Sequence, residues 1–180
     1  AMILETELRG TKLDLKTLQE ADASDSYLAW LNDPEINAFL EVRRNPPSTI
    51  NDLSKFINEC LRSDSDLLLG IFSKNDLHIG NIKISFNWDN LRSEIGIIVG
   101  DRSFWGKGVA TEAIKLVTQF LLEKHHVRRV SAGLYEKNVG SQKAFEKAGF
   151  KLEGVFRNYW YFNEESFDQC FYSFNRSVKE

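Results

Sequence analysis

Two cysteines in 180 residues, Cys60 and Cys170, are too few and too widely separated to frame a disulfide-stapled fold. They suit reduced thiols, and neither belongs to a CxxC pair. His78, His125 and His126 show no metal-ligand spacing, so no metal site is expected. No apolar run reaches the length of a membrane span. The opening "AMILETELRG" lacks a basic stretch followed by an apolar one, so no secretory signal is expected and the cytoplasm is the expected compartment. Ala1 ahead of Met2 reads as an expression scar. A basic surplus is also missing: the formal charge is −3, which argues against nucleic acid as a partner. Low-complexity tracts and long linkers are absent, so one domain over residues 1–180 is expected, with a sizeable core.

What is present is a change of hydrophobic period along the chain. "RGTKLDLKTL" alternates as a first strand over about 9–17. Tyr27, Leu28, Trp30 and Leu31 recur at helical spacing. "NDPEINAFL" reads as a short second helix with Asp33 as N-cap and Pro34 at its first position. "VRRNPPST" reads as a loop. Leu53, Phe56, Ile57, Cys60 and Leu61 form the apolar stripe of a third helix. The period then shortens. "DLLLGIFS", "LHIGNIKISFNW" and "LRSEIGIIVG" are three strands joined by short turns, hence an antiparallel meander. A glycine turn, a helix from Val109, a strand "VRRVSAGLY" and a helix from "NVGSQKAFEKAG" follow. Gly149 ends that helix, and two strands over about 151–162 and 167–178 close the chain. The order is β-ααα-βββ-α-β-α-ββ, a mixed α+β sheet with helices on its faces. Its central β-α-β crossover is expected to be parallel and right-handed.

The glycine turn is the chemically informative stretch: "FWGKGVATEA", residues 104–113. The first turn of a helix has N–H groups without intrahelical acceptors, and its dipole adds partial positive charge. Gly106 and Gly108 permit positive φ and let an anion approach the backbone, and Lys107 adds charge. A tight turn and nothing more would use the same glycines. The spacing fits neither a P-loop, GxxxxGK[ST], nor a Rossmann turn, GxGxxG.

Trp105, Gly106, Lys107, Gly108, Val109 and Ala110 resemble the pyrophosphate loop [Q/R]xxGx[G/A] of the GNAT (Gcn5-related) N-acetyltransferases, departing only at Trp105. "FWGKGVATEA" is closest to the form used in the RimJ/RimL-like branch. "SEIGIIVG" resembles that branch's fourth strand, "NVGSQKAFEKAGFKLEG" its second cofactor motif and "FDQCFYS" its closing strand. These matches run in order from about Ile79 to Phe174, and the N-terminal 75 residues match by helix pattern only.

The resemblance implies a seven-stranded GNAT sheet, acetyl-CoA as donor and a primary amine as acceptor, with direct attack in a ternary complex. It implies a splay after the fourth strand, opened by a bulge at Gly96, where Ile97, Ile98 and Val99 offer backbone groups to the pantetheine arm. An N–H near Ile97 would serve as oxyanion hole. Residues 106–111, through Thr111, would hold the pyrophosphate, with Asn138, Ser141, Phe145 and Lys147 as further cofactor contacts. Ser141 is the expected donor to the leaving thiolate, because the family's usual tyrosine position is Phe145. A helical serine facing solvent is the plainer alternative. Glu94 is the leading general base, with a purely structural acid as its alternative, and Asp168 and Tyr135 stand behind it.

The acceptor is expected between the N-terminal helices and the last hairpin, near Trp30, Asn37, Phe39, Glu41, Trp88, Arg157, Tyr159 and Tyr161. A protein N-terminus of the ribosomal type and a nucleotide-linked amino sugar or other small amine both remain open, and Arg43, Arg44 and Arg157 would suit a diphosphate. A module that binds acyl-CoA without catalysis and a protein-interaction domain are the rivals from other classes. The apolar alternation of the last strands suits a monomer with a covered sheet or a homodimer.

Overall fold

The computed structural model describes Leu4 and residues 6–176. Ala1, and positions 177 and 178 of the expected last strand, lie outside them. The elements are β1 (Leu8–Arg9), β2 (Leu13–Thr17), α1 (Asp25–Asn32), α2 (Pro34–Asn37), α3 (Ile50–Arg62), β3 (Asp66–Ser73), β4 (His78–Asn87), β5 (Arg92–Val99), α4 (Val109–Lys124), β6 (Arg129–Tyr135), α5 (Val139–Lys147), β7 (Lys151–Phe162) and β8 (Glu165–Asn175). The strands form one eight-stranded sheet in the order β1-β2-β3-β4-β5-β6-β8-β7.

The eighth strand arises because the expected first strand is broken. The Gly10 N–H donates to the Leu13 carbonyl at 2.8 Å, and Leu8–Arg9 folds back onto Asp14–Leu15. A second difference lies at residues 42–44, expected as the start of a loop, which belong to a 3-10 turn over Glu41–Arg44.

β3 is an almost unbroken apolar run because it is covered on both faces. Leu67, Leu69 and Ile71 join a core with α4 and α5, while Leu68 and Phe72 join a second core with α1 and α3. Helix starts are locally specified: Ser24, Asp33, Thr49 and Asn138 each cap α1, α2, α3 and α5 by accepting from a first-turn N–H.

The sheet is antiparallel except at β5 and β6, whose parallel pairing covers only Arg92–Arg129, Ser93–Val130 and Glu94–Ser131. Beyond Glu94 the two strands part. No bulge at Gly96 opens the gap, since β4 and β5 pair in unbroken register from Asn87–Arg92 to Gly80–Val99. The splay comes instead from β6 turning away after three pairs.

Candidate active site

Among the five α-helices, α4 alone starts without a side-chain cap. Its N-cap is Gly108, held left-handed at φ 77° and ψ 13°, and Gly106 lies at φ 70°. Both positions therefore need glycine, and the first-turn N–H groups are left for an outside acceptor. The turn is braced from a distant part of the chain. Glu112, in the first turn of α4, accepts from the Thr11 N–H at 2.8 Å, the Thr11 hydroxyl at 2.6 Å and the Lys12 N–H at 2.9 Å. Burial alone would raise the Glu112 carboxyl, but these hydrogen bonds outweigh it and the net shift is downward. The same brace sets the Lys12 ammonium 2.7 Å from the Lys107 carbonyl, beside Gly108. Thr11 and Lys12 escaped the sequence analysis because nothing near residue 11 signals a partner about a hundred residues away.

A cleft of about 500 Å³ runs from this turn along Ile97–Val99 of β5 to the first turn of α5. Of the residues expected to bind cofactor, Ile97, Ile98, Val99, Trp105, Gly106, Gly108, Val109, Ala110, Thr111, Asn138, Ser141 and Lys147 line it. Phe145 does not. It is fully buried, edge-on to Phe150 at 5.1 Å, because it faces the core side of α5. The Lys107 side chain also stays outside, with its ammonium 5.7 Å from the Phe104 ring. Phe39, expected at the acceptor, stands in this cleft instead. Lys143 was missed and also lines it, so α5 brings two lysines toward the cleft.

The backbone of β5 divides its labour by ladder alternation. The Gly100 N–H reaches across to the Ile79 carbonyl at 2.9 Å, beside the Val99–Gly80 pair. Alternation then points the N–H and C=O of Ile97 and Val99 away from β4, toward the gap, and those of Ile98 toward β4. The Val99 carbonyl is already taken by the Trp105 indole N–H at 2.7 Å. Ile97 is thus the strand residue with both backbone groups facing the open gap. Across it, Asn138 accepts the Ser141 N–H at 3.3 Å and turns that first turn of α5 into the cleft.

A second cavity, of about 830 Å³, meets the cleft at Leu40, Ile97 and Ile98. Of the expected acceptor residues only Glu41 lines it. The Glu41 carboxylate accepts from the Tyr135 hydroxyl and from Arg44. Burial, then Glu41, raises the Tyr135 phenol, which makes it a poor base. The others are engaged elsewhere. Trp30 is buried against His78 at 5.1 Å, and the Asn37 amide donates to the Leu31 carbonyl at 2.8 Å. Trp88 stacks on Phe86 at 4.3 Å, past the far end of β4. Tyr159 is exposed and packs edge-on to Trp160 at 4.9 Å, and Tyr161 is exposed too. Arg157 pairs with Asp168 at 2.9 Å, and the Asn158 N–H donates to the same carboxylate at 2.9 Å. Asp168 thereby braces an irregularity in β7, and its carboxyl is lowered, first by the Asn158 N–H. It is no base. Arg43 lies over the rings of Phe162, Tyr135 and Phe167 rather than facing a diphosphate.

Glu94 lines neither cavity. It is exposed at the last β5–β6 pair, on the β5 face that carries Gly96 and Ile98 into the second cavity. Its side chain makes no hydrogen bond or ion pair among the described residues. The described residues contain no cluster of metal-ligating groups and no helix long and apolar enough to cross a membrane.

Residues 12–151 match the family described as an acetyltransferase (GNAT) domain. The probable N-acetyltransferase YjcK of Bacillus subtilis strain 168 is 29% identical over 160 residues, covering 83% of this chain and 86% of that protein. Among solved structures, RimL, a ribosomal L7/L12 alpha-N-protein acetyltransferase in complex with coenzyme A, superposes with a TM-score of 0.85. It is 18% identical, over 94% of this chain and 98% of that one. Spermidine N-acetyltransferase from Vibrio cholerae, in complex with CoA and spermine, gives a TM-score of 0.82 at 17% identity, over 92% and 96%. At such identities the two structures show a shared fold.

Proposed function

This chain belongs to the acetyltransferase (GNAT) family and is an acetyl-CoA-dependent N-acetyltransferase; we propose that its cleft seats acetyl-CoA and its second cavity delivers a primary amine for direct attack. The observation that carries this assignment is the pairing of β5 and β6 that stops at Glu94, so that a gap opens beside a helix whose glycine start leaves its N–H groups uncapped.

The residues divide the work as follows. Val109, Ala110 and Thr111 offer N–H groups to the pyrophosphate, with Lys12 adding charge at its edge. Ile97 offers its N–H to the thioester oxygen, where negative charge grows as the amine nitrogen bonds to the carbonyl carbon. Glu94 takes the proton the amine loses, directly or through a water. Ser141 donates to the sulfur as the C–S bond breaks. Aligning amine and thioester across the shared wall of Leu40, Ile97 and Ile98 supplies a further part of the rate.

The test is Glu94→Gln, assayed by thiol release. Turnover should fall by about 10²- to 10⁴-fold, the range for a lost general base, with the acetyl-CoA Kd within about twofold. A variant that turns over like the parent removes Glu94 from the reaction. Acetyl-CoA that fails to bind the parent protein at millimolar concentration removes the whole reading.

A further inference from the structure

From the walls of the second cavity, and resting on the reading that it holds the acceptor, we infer that the substrate is a small primary amine with an apolar body, not a polyamine or an aminoglycoside. The cavity shares Leu40, Ile97 and Ile98 with the cleft, so whatever fills it has one end beside the strand that faces the reacting carbonyl. Its remaining wall is largely hydrocarbon: Leu31, Val42, Pro46, Leu53 and Leu68, with the Phe56 ring exposed. About 830 Å³ lies within the usual range for a small-molecule site.

Every charged group on that wall is already engaged. Glu41 holds the Tyr135 hydroxyl and Arg44. One oxygen of Asp52 accepts the N–H groups of Ser48 and Thr49, each at 3.1 Å, in the cap of α3. Lys83 lies 3.5 Å from Asp66. The neutral Asn81 is engaged as well, its oxygen 2.7 Å from His78 Nε2. A polycation entering here would surrender the hydration of several charges, and the wall offers it only two carboxylates, Glu41 already paired with Arg44 and Asp52 already capping α3. A single amine carried by an apolar chain meets the opposite situation. Its body replaces water along the wall, and the low dielectric favours the neutral amine, the form that attacks. Substrate binding and nucleophile activation then draw on the same surface.

The experiment measures kcat/KM for ethylamine, butylamine, hexylamine and phenethylamine, beside spermidine, kanamycin and a short peptide with a free N-terminus. Acetyl-CoA binding is titrated on the same preparation. At about 0.8 kcal/mol per buried methylene, kcat/KM should rise roughly fourfold per CH₂, or about 250-fold from ethylamine to hexylamine. Hexylamine and phenethylamine should both exceed spermidine, kanamycin and the peptide. Phe56→Glu should lower kcat/KM for hexylamine about tenfold and leave the acetyl-CoA Kd unchanged, which also reports that the variant is folded. A flat alkyl series, a preference for spermidine, kanamycin or the peptide, or no turnover of any of these amines while acetyl-CoA still binds each overturns the inference and leaves the acetyl-CoA site standing. Failure of acetyl-CoA to bind removes the reading beneath it, and the inference with it.

Discussion

Replacing Gly108 by alanine tests whether the start of α4 is an anion seat or only a bend. The new Cβ would sit in the left-handed region at φ 77°, which costs an L-residue about 1–2 kcal/mol. It would also lie 2.9 Å from the Lys12 ammonium, the mobile end of a long side chain that can swing aside. If the backbone holds its conformation, the loss is one of stability alone, about 2–8 °C in Tm for a chain of this size. If it relaxes to negative φ, the peptide between residues 108 and 109 rotates and takes the Val109 N–H out of the cradle. A charge-assisted hydrogen bond is worth about 1.5–3 kcal/mol, hence a Kd roughly 10- to 150-fold weaker. Calorimetric titration separates the cases when it uses two ligands, acetyl-CoA and acetyl-pantetheine, which lacks the pyrophosphate. The expected result is acetyl-CoA weakened tenfold or more, with acetyl-pantetheine within about twofold of the parent. Equal weakening of both ligands refutes the assignment of the phosphate to this turn; no weakening of either, with a lowered Tm, reports a backbone that held its conformation. Gly108→Glu, which places a carboxylate where the phosphate belongs, should abolish acetyl-CoA binding.

Three further outcomes follow from the geometry. Ser141→Ala should lower kcat by about 10- to 100-fold with an unchanged acetyl-CoA Kd, since its backbone N–H still satisfies Asn138; an unaltered kcat would leave the thiolate to water. Gly100→Ala would set a Cβ 2.0 Å from the buried Trp30 ring and should lower Tm by several degrees, at about 1–3 kcal/mol for an overpacked core; an unchanged Tm would mean α1 yields freely. The Arg129 guanidinium, with Ser173 and Asn175, draws the Glu153 carboxyl down to about 2. A depressed folded pKa gives stability that is present above the ordinary value near 4.5 and lost as pH falls toward 2. The pair is partly exposed, so Glu153→Gln should cost only about 0.5–1 kcal/mol at neutral pH, and the Tm gap to the parent should close below pH 4. A gap that persists at pH 2 would place the loss elsewhere.

The sequence legible on its own was the local part. The cap at Asp33, the glycines at 106 and 108 and the strand alternation of residues 78–99 are each decided by neighbours a few positions apart. The residues that the family resemblance implied for the cofactor mostly line one cleft in the structure. Phe145 was misplaced because a motif position says nothing about which side of α5 faces the core, and burial in the packed helix decides that.

Most of the residues expected at the acceptor lie outside the second cavity for a different reason. Trp30, Trp88 and Tyr159 are large and conspicuous in the sequence, yet packing engages the first two and leaves the third on the surface. The cavity itself is assembled from α1, the 41–48 turn, α3 and the strands, segments whose side chains become neighbours only when the second core closes over the sheet. The amino-acid order determined most of the elements and the glycine turn before α4, because these depend on short-range backbone chemistry. Tertiary structure alone decided where β6 leaves β5, how Glu112 ties Thr11 and Lys12 to the turn, and which charges of the second cavity are neutralised, because each depends on groups brought together from distant parts of the chain.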